Sequence, residues 1–288
     1  MKVLVRNIFV LFSLHLVFGC ESLEVVVPID VDEDAPELAV GAYFSNDMEN
    51  YRISVAQSVD ALSNLENTIQ DSSMISLFED GELLHSYLFE QDNAEEFENS
   101  FEEGKTYRLE VSKDGFEPVF AEDVFPSEVS IDTAYLQGTA VVGEFSEEVR
   151  RLQLQFMDTP GQDYYEIKTY VVYEFSGEEY FYAIYPAEDQ STGVVSAGEG
   201  IYVRDDNFEG SAVDLILNYY DIEEGEDIGI VVELRHITEA YFSYQLSVDL
   251  AQKANDNPFS EPVQVRSNIE NGFGIFALWT NDFFTIVP

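Results

Sequence analysis

Apolar and polar residues alternate over much of the chain, with the period of two that is typical of β-strands with one buried face. The clearest runs are Leu38, Val40, Ala42 and Phe44; Tyr107, Leu109 and Val111; and Leu152, Leu154 and Phe156. The pairs Asp80-Gly81 and Asp114-Gly115 each stand between two such segments. Because Asp and Gly tolerate a positive φ, these pairs predict β-hairpins.

This pattern predicts a mainly β fold with two domains. Residues 35–126 are expected to form an immunoglobulin-like β-sandwich that lacks the cysteine pair and the tryptophan of antibody domains. Residues 127–288 are expected to form a second domain, an antiparallel β-sandwich or a partly open barrel. In this region Ser176-Gly177 predicts a further turn, and one helix is predicted near 238–254, with Thr238 as its N-cap and Glu239 in its first turn.

The first twenty residues have the pattern of an export signal. Lys2 and Arg6 precede an apolar run, and the run ends in Val17-Phe18-Gly19-Cys20, which resembles a bacterial lipobox. The interpretation is a signal peptide over 1–19, lipidation of Cys20 and an acidic tether over 20–34. Acyl chains on Cys20 would then hold the protein on a membrane. The alternative is an ordinary secretory signal with an incidental cysteine.

The mature chain is strongly acidic. Without residues 1–19, which contain Lys2 and Arg6 and no acid, 11 basic residues remain against 57 acidic ones, a formal charge of −46. Such a charge repels nucleic acid and anionic head groups, so no nucleic-acid partner is expected. A solvated surface, with or without adaptation to a salty medium, is the simpler interpretation of the acidity, and a functional polyanion is the alternative.

No catalytic motif is present, so no catalytic residue is assigned. His85 and His236 are the only histidines after residue 19. His236 is separated from Ile230, Val232 and Leu234 by even numbers of positions in one predicted strand. It is therefore predicted to lie on the same apolar face of the sheet or at the end of that face. The chain contains neither a nucleophile elbow nor a zinc motif.

Two acidic segments are weak candidates for calcium, because this hard cation prefers oxygen ligands. One contains Asp30, Asp32, Glu33 and Asp34, and the other contains Asp205, Asp206 and Asn207. Neither has the spacing of an established calcium loop, and a solvated acidic loop is the alternative for both. No other cofactor or metal is expected.

Tyrosines occupy both faces of two predicted strands in the segment YYEIKTYVVYEFSGEEYFYAIY. Some of them must be exposed or covered by another element. Tyr164, Tyr170, Tyr180 and Tyr182 are therefore candidates for a binding surface, since tyrosine combines a large contact area with a polar tip. Ordinary packing within the sheet is the alternative.

Several short motifs follow one another in a fixed order along the chain. They are Pro28-Ile29-Asp30, the hairpin Glu79 to Gly81, the strand Glu103 to Leu109, and a helix followed by NPF, NIENG and GFGIF. In this order they resemble a family of Bacteroidota lipoproteins of unknown function, the domain of unknown function 4249. The resemblance covers about residues 28–279.

The resemblance implies a cellular location and a role. Members of the family often accompany TonB-dependent transporters, which implies a lipid-anchored accessory or binding protein at the periplasmic or cell-surface face of the outer membrane. It implies no catalytic residues. A lipid-anchored hydrolase of glycans or peptides, and a structural or adhesive surface protein, are the alternatives.

Overall fold

The alternating segments pair into three β-sheets in the computed structural model of the protein. The structure describes residues 35–47, 52–59, 72–90, 101–143, 146–188, 190, 193–206, 208, 210–220, 228–257 and 259–286. Within these residues the fold is mainly β, with a sandwich-like arrangement of sheets and one long helix, as predicted. None of the described helices is both long and apolar enough to cross a membrane.

The largest sheet has eight strands. In spatial order they are β11 (Val194–Ala197), β12 (Gly200–Arg204), β9 (Tyr164–Phe175), β14 (Ile228–Ile237), β15 (Phe273–Ile286), β1 (Leu38–Ser45) and β2 (Arg52–Gln57), and β10 (Glu178–Ala183) pairs with β9 beyond β12. All pairs are antiparallel except β1 with β15, which are parallel. This sheet therefore contains both the first and the last described strand.

Two smaller sheets pack against one face of the long sheet. The first contains β4 (Glu82–Phe89), β3 (Ser73–Glu79), β5 (Thr106–Ser112) and β6 (Val119–Val124), and the second contains β13 (Ala212–Tyr219), β8 (Glu147–Met157) and β7 (Ile131–Val142). We call the face that they cover the inner face.

The inner face carries two hydrophobic cores. One core joins β1 and β15 to the four-stranded sheet and includes Phe44, Tyr107 and Phe276. The other joins β9, β12 and β14 to the three-stranded sheet and includes Phe156 and Tyr165. The predicted domain boundary at residues 126 and 127 falls between the two cores, while β15 contributes side chains to both of them. The division into two domains stays a prediction.

The predicted turns and the helix are confirmed. Asp80 and Gly81 have φ values of 48° and 83° and connect β3 to β4, and Ser176-Gly177 connects β9 to β10 in the same left-handed conformation. The helix α1 spans Glu239–Asn255, and the Thr238 hydroxyl accepts a hydrogen bond from the Tyr241 N–H at its first turn.

Candidate functional site

The face of the long sheet opposite the two cores, which we call the outer face, is only partly covered. Helix α1 packs on one part of it, where Tyr241 lies 5.7 Å from Trp279 and Phe242 lies 4.9 Å from Tyr164 between ring centroids. Beside the helix, β9, β10, β14, β15 and the end of β1 enclose a cavity of about 740 Å³. This volume lies within the range of small-molecule binding sites.

The cavity has apolar walls and a set of polar groups between them. The apolar lining consists of Val172, Phe181, Val231, Trp279 and Phe283, and the polar lining consists of Ser45, Asp47, Tyr170, Glu174, Glu179, Glu233, Arg235, Asn281 and Thr285. Phe181 and Phe283 are half exposed at 55% and 50%, whereas Trp279 is 6% exposed. The aromatic rings thus offer contact area both at the rim and at the floor.

Arg235 is the charged centre of the cavity floor. Its guanidinium donates two hydrogen bonds to Glu233, at 2.5 and 3.0 Å, and one to Glu166, at 2.9 Å. It also lies over the Trp279 ring, 5.1 Å from the centroid. Burial acts against the charge of Arg235, but the two carboxylates outweigh it and raise the pKa of Arg235 well above its ordinary value.

Tyrosine hydroxyls complete the shell of donors around these two acids. Tyr202 and Tyr241 donate to Glu166 at 2.5 and 3.2 Å, and Tyr170 donates to Glu233 at 2.9 Å. Burial, together with the neighbouring carboxylate, raises the pKa of each of these three tyrosines, so the phenols stay protonated donors. We call Glu166, Glu233 and Arg235 the arginine cluster. Its acids are held by donors on several sides, as in a structural network.

Two polar atoms of the cavity lining have no hydrogen-bond partner among the described residues. They are the indole Nε1 of Trp279, a donor, and Oδ1 of Asn281, an acceptor. The amide nitrogen of the same Asn281 is used, because it donates to Asp47 at 2.9 Å and lies 3.3 Å from Glu233. Both atoms are buried beneath the cavity surface, so each is an unsatisfied polar group of the packing and not an open contact for a ligand.

The structure separates the four tyrosines that the sequence grouped into one binding surface. Tyr170 lines the cavity, and Tyr164 is buried on the same face under α1. Tyr180 and Tyr182 pair with Tyr173 and Val171, and therefore project from the opposite face of the sheet, where they are 40% and 59% exposed. Only Tyr170 therefore belongs to the cavity.

The two adjacent aspartates proposed as calcium ligands, Asp205 and Asp206, differ in burial. Asp205 is 3% exposed, whereas the Asp206 side chain is 60% exposed and forms an ion pair with Arg204 at 3.2 Å. Asn207 lies outside the described residues, as do Cys20, Asp30, Asp32, Glu33 and Asp34. Lipidation of Cys20 and calcium binding by the 30–34 segment stay predictions.

His236 lies on the inner face, as predicted, and is 5% exposed. Its Nε2 is 3.0 Å from Asp163 Oδ1, and its Nδ1 is 2.9 Å from the carbonyl oxygen of Ser127. The Ser127 hydroxyl is farther away, at 3.4 Å, and it approaches Nδ1, so His236 would have to release its carbonyl contact to act as a base. None of these three residues lines the outer-face cavity.

The alternation of apolar and polar residues does not by itself reveal the arginine cluster. Its members are charged residues within largely apolar strand segments: Glu166 in YYEIKTY, and Glu233 and Arg235 in IGIVVELRHI. A charge of each sign two positions apart on one strand face was the available signal, because such a pair can be buried together.

Fold and site together define a mainly β protein with a ligand-sized cavity on the uncovered face of its largest sheet. A family model described as Domain of unknown function (DUF4249) matches residues 24–283, and the chain belongs to this family. Nothing among the curated proteins or the solved structures matches the chain.

Proposed function

We propose that the protein is a non-enzymatic binding protein that holds a small ligand in the outer-face cavity. The observation that carries the proposal is the cavity itself, about 740 Å³ in volume, with aromatic side chains at its rim and floor and polar side chains between them. This combination of apolar walls and a few placed polar groups is the usual composition of a ligand site.

The charges of the lining indicate the class of ligand. Asp47, Glu174, Glu179 and Glu233 contribute four carboxylates, against the single guanidinium of Arg235, which Glu166 and Glu233 already engage. An anionic ligand would be repelled by this excess of negative charge. The ligand is therefore neutral or cationic, with an apolar surface that packs on Trp279, Phe181 and Phe283.

The state of the acids favours binding over hydrolysis. A hydrolase of glycans needs one carboxyl group that gives up a proton and a second that acts on the substrate. Glu233, the most deeply placed acid of the cavity, instead accepts from Arg235 and Tyr170 and is held in an ion pair. Using it as a catalytic group would first require breaking that network.

The same proposal places the protein at the outer membrane, anchored by acyl chains on Cys20 and acting as an accessory subunit of a TonB-dependent transporter. Its support is the lipobox-like sequence that ends at Cys20 and the resemblance to the family of lipoproteins that accompany such transporters. In this role the cavity would present a captured ligand to the transporter.

The accessory role is tested by affinity purification of the C-terminally tagged protein from gently solubilised outer membranes, followed by mass spectrometry. We expect a stoichiometric transporter with the wild-type chain. We expect loss of both the membrane fraction and the partner with Cys20→Ala. Recovery of the wild-type protein from the membrane without any transporter would refute the accessory role and leave the binding proposal standing.

Ligand binding is tested by fluorescence, because Trp279 is the only tryptophan of the chain and lies in the cavity wall. The probes are oligosaccharides and short peptides in neutral, cationic and anionic forms. We expect saturable changes in Trp279 emission with neutral or cationic probes, and a Kd at least about tenfold higher in Phe181→Ala.

Phe175→Ala is the matched control for this measurement. Phe175 lies on the same hairpin as Phe181 and is 70% exposed, but it projects from the opposite face of the sheet. We expect its Kd to equal that of the wild type. Equal Kd values for wild type and Phe181→Ala, or a preference for anionic probes, would contradict the proposed site.

A further inference from the structure

Three aspartates meet at one end of the inner face, away from the cavity lining. Asp158 directly follows β8, Asp163 directly precedes β9, and Asp205 directly follows β12. One carboxylate oxygen of each lies within 4.8 Å of the other two. We call these three residues the aspartate cluster.

Two members of the aspartate cluster are fixed by hydrogen bonds from neutral groups and from histidine. Asp158 accepts from the Tyr165 hydroxyl at 2.5 Å and from the Gly210 N–H at 2.6 Å. Asp163 is bonded to the Thr159 hydroxyl and to His236. Each carboxylate oxygen has two lone pairs, so these bonds leave capacity for a further ligand.

The third member supplies an independent sign of a missing partner. Asp205 is 3% exposed, and its Oδ2 is buried with no hydrogen-bond partner among the described residues. Leaving a carboxylate oxygen buried and unsatisfied is costly. The neighbouring Arg204 does not satisfy it, because Arg204 pairs with Asp206 and lies over the ring of Tyr164.

The net charge of the aspartate cluster also indicates that a cation is missing. Among the described ion pairs, His236 is the only basic side chain that contacts the aspartate cluster. Even with His236 protonated, three carboxylates and one imidazolium leave two negative charges in a buried place. A group of buried like charges is unfavourable unless a counter-charge accompanies it.

We propose that the aspartate cluster binds one calcium ion. Calcium prefers oxygen ligands at about 2.3–2.6 Å in flexible geometry, so two ligand oxygens on opposite sides of the ion can stand roughly 5 Å apart. The oxygens of the cluster lie within that span. Magnesium demands a near-ideal octahedron with ligands at about 2.0–2.1 Å and gives up its water reluctantly, so a site built from protein carboxylates favours calcium.

Calcium at this position would clamp two connections of the fold. Asp158 and Asp163 bound the segment between β8 and β9, and Asp205 begins the segment between β12 and β13. Backbone hydrogen bonds already join these segments, from Asp205 N–H to Asp163 O at 3.3 Å and from Asp158 N–H to Ser211 O at 3.1 Å. The ion would hold them together through side chains as well.

The test is thermal unfolding of the full-length protein in detergent, stripped with EDTA and then returned to CaCl₂, to MgCl₂, or to KCl at equal ionic strength. The KCl arm corrects for screening, which stabilises any chain of this charge. At CaCl₂ about 100-fold above Kd, we expect Tm to rise by roughly 5–10 °C above the KCl value in the wild type.

Two variants locate the effect. Asp206→Asn is the matched control, because it removes the adjacent but exposed carboxylate, and we expect it to keep the full rise. Asp205→Asn is expected to lose it, and Asp163→Asn is a second variant with the same expectation should Asp205→Asn fail to fold. A rise of equal size in the cluster variants, equal effects of CaCl₂ and KCl on the wild type, or a rise with MgCl₂ as large as with CaCl₂ would overturn the proposal.

Discussion

The arginine cluster and the aspartate cluster are two groups of buried acids in one protein, and they are neutralised differently. Glu166 and Glu233 share Arg235, whose side chain is 14% exposed, and they also receive tyrosine hydroxyls. Asp158, Asp163 and Asp205 have His236 as their basic neighbour in the described part of the chain. In the first group the counter-charge is part of the sequence, whereas in the second group we propose that it is an ion from solution.

Carboxylates of such an acidic chain therefore fall into exposed groups and buried groups with different needs. Most of them can stay in water, where each costs little. A buried carboxylate needs a cation within a few ångströms, because the interior screens charge weakly. A built-in arginine fixes the floor of the cavity whatever the medium contains, while an aspartate cluster makes part of the fold depend on the medium.

The largest expected effect is that of removing the built-in cation. Arg235→Met leaves Glu166 and Glu233 buried without it, and we expect a loss of about 3–5 kcal/mol in the free energy of unfolding, measured by urea denaturation. Arg108→Met is the control, since the ion pair of Arg108 with Glu110 is partly exposed, and should cost at most about 1 kcal/mol. Equal losses in the two variants would contradict the role of Arg235 as the counter-charge of two buried acids.

Replacing the whole arginine cluster separates burial of charge from loss of packing. In the triple variant Glu166→Gln, Glu233→Gln and Arg235→Met, no buried charge remains unpaired. We expect it to recover most of the stability that Arg235→Met alone loses. A triple variant as unstable as the single one would show that Arg235 acts through its packing on Trp279.

The next largest effect is a gain in stability, expected when one acid of the aspartate cluster is removed. In EDTA, Asp205→Asn removes one of three like charges, and the new amide can donate to a neighbouring carboxylate. We expect the variant to be more stable than the wild type by about 1–3 kcal/mol in EDTA. Urea denaturation with EDTA measures it, and a variant less stable than the wild type under these conditions would count against electrostatic strain in the aspartate cluster.

A smaller gain is expected at Asp123, a partly buried acid on β6. Burial raises the pKa of Asp123 above its ordinary value of 3.8, although hydrogen bonds from Thr238 and from the Val124 N–H act against the rise. A carboxyl group with a raised folded pKa contributes stability below its unfolded pKa and loses it as the pH rises through the folded value. Asp123→Asn should therefore be more stable than the wild type at pH 7.

The pH dependence checks this assignment. The advantage of Asp123→Asn should shrink as the pH falls and vanish below 3.8, where both chains are uncharged at this position. Urea denaturation at a series of pH values measures it. A difference that stays constant with pH would show that the substitution acts through packing.

The smallest effect is expected at Asp206, which is adjacent to Asp205 in the chain and exposed to water. Asp206→Asn removes an ion pair with Arg204 whose two side chains are 60% and 45% exposed. We expect a change within about 0.5 kcal/mol, with or without calcium. A loss of stability as large as that of Arg235→Met would mean that the exposure of a carboxylate does not determine how much its ion pair contributes.

Local features of the fold could be predicted from the sequence because their causes are local. Alternation identified the strands, Asp80-Gly81 adopts the left-handed turn that its residue types allow, and Thr238 caps the helix. His236 was placed on the inner face from its parity with Ile230 and Leu234, and its burial confirms this.

Non-local features could not be predicted in the same way. The parallel pairing of β1 with β15 joins residues more than 200 positions apart, and no turn motif connects them. Asp158 and Asp205 of the aspartate cluster likewise lie in separate loops. The sequence-based prediction therefore paired Asp205 with its chain neighbour Asp206 instead. In each case the relevant partner is set by the arrangement of the sheets.

The most direct test of the different treatment of the two clusters is a crystal structure of the protein grown with CaCl₂, with anomalous scattering data collected at long wavelength, where calcium scatters strongly. We predict one strong anomalous peak among Asp158, Asp163 and Asp205, and no peak among Glu166, Glu233 and Arg235. Absence of a peak at the aspartate cluster, or a peak of equal height at the arginine cluster, would contradict it.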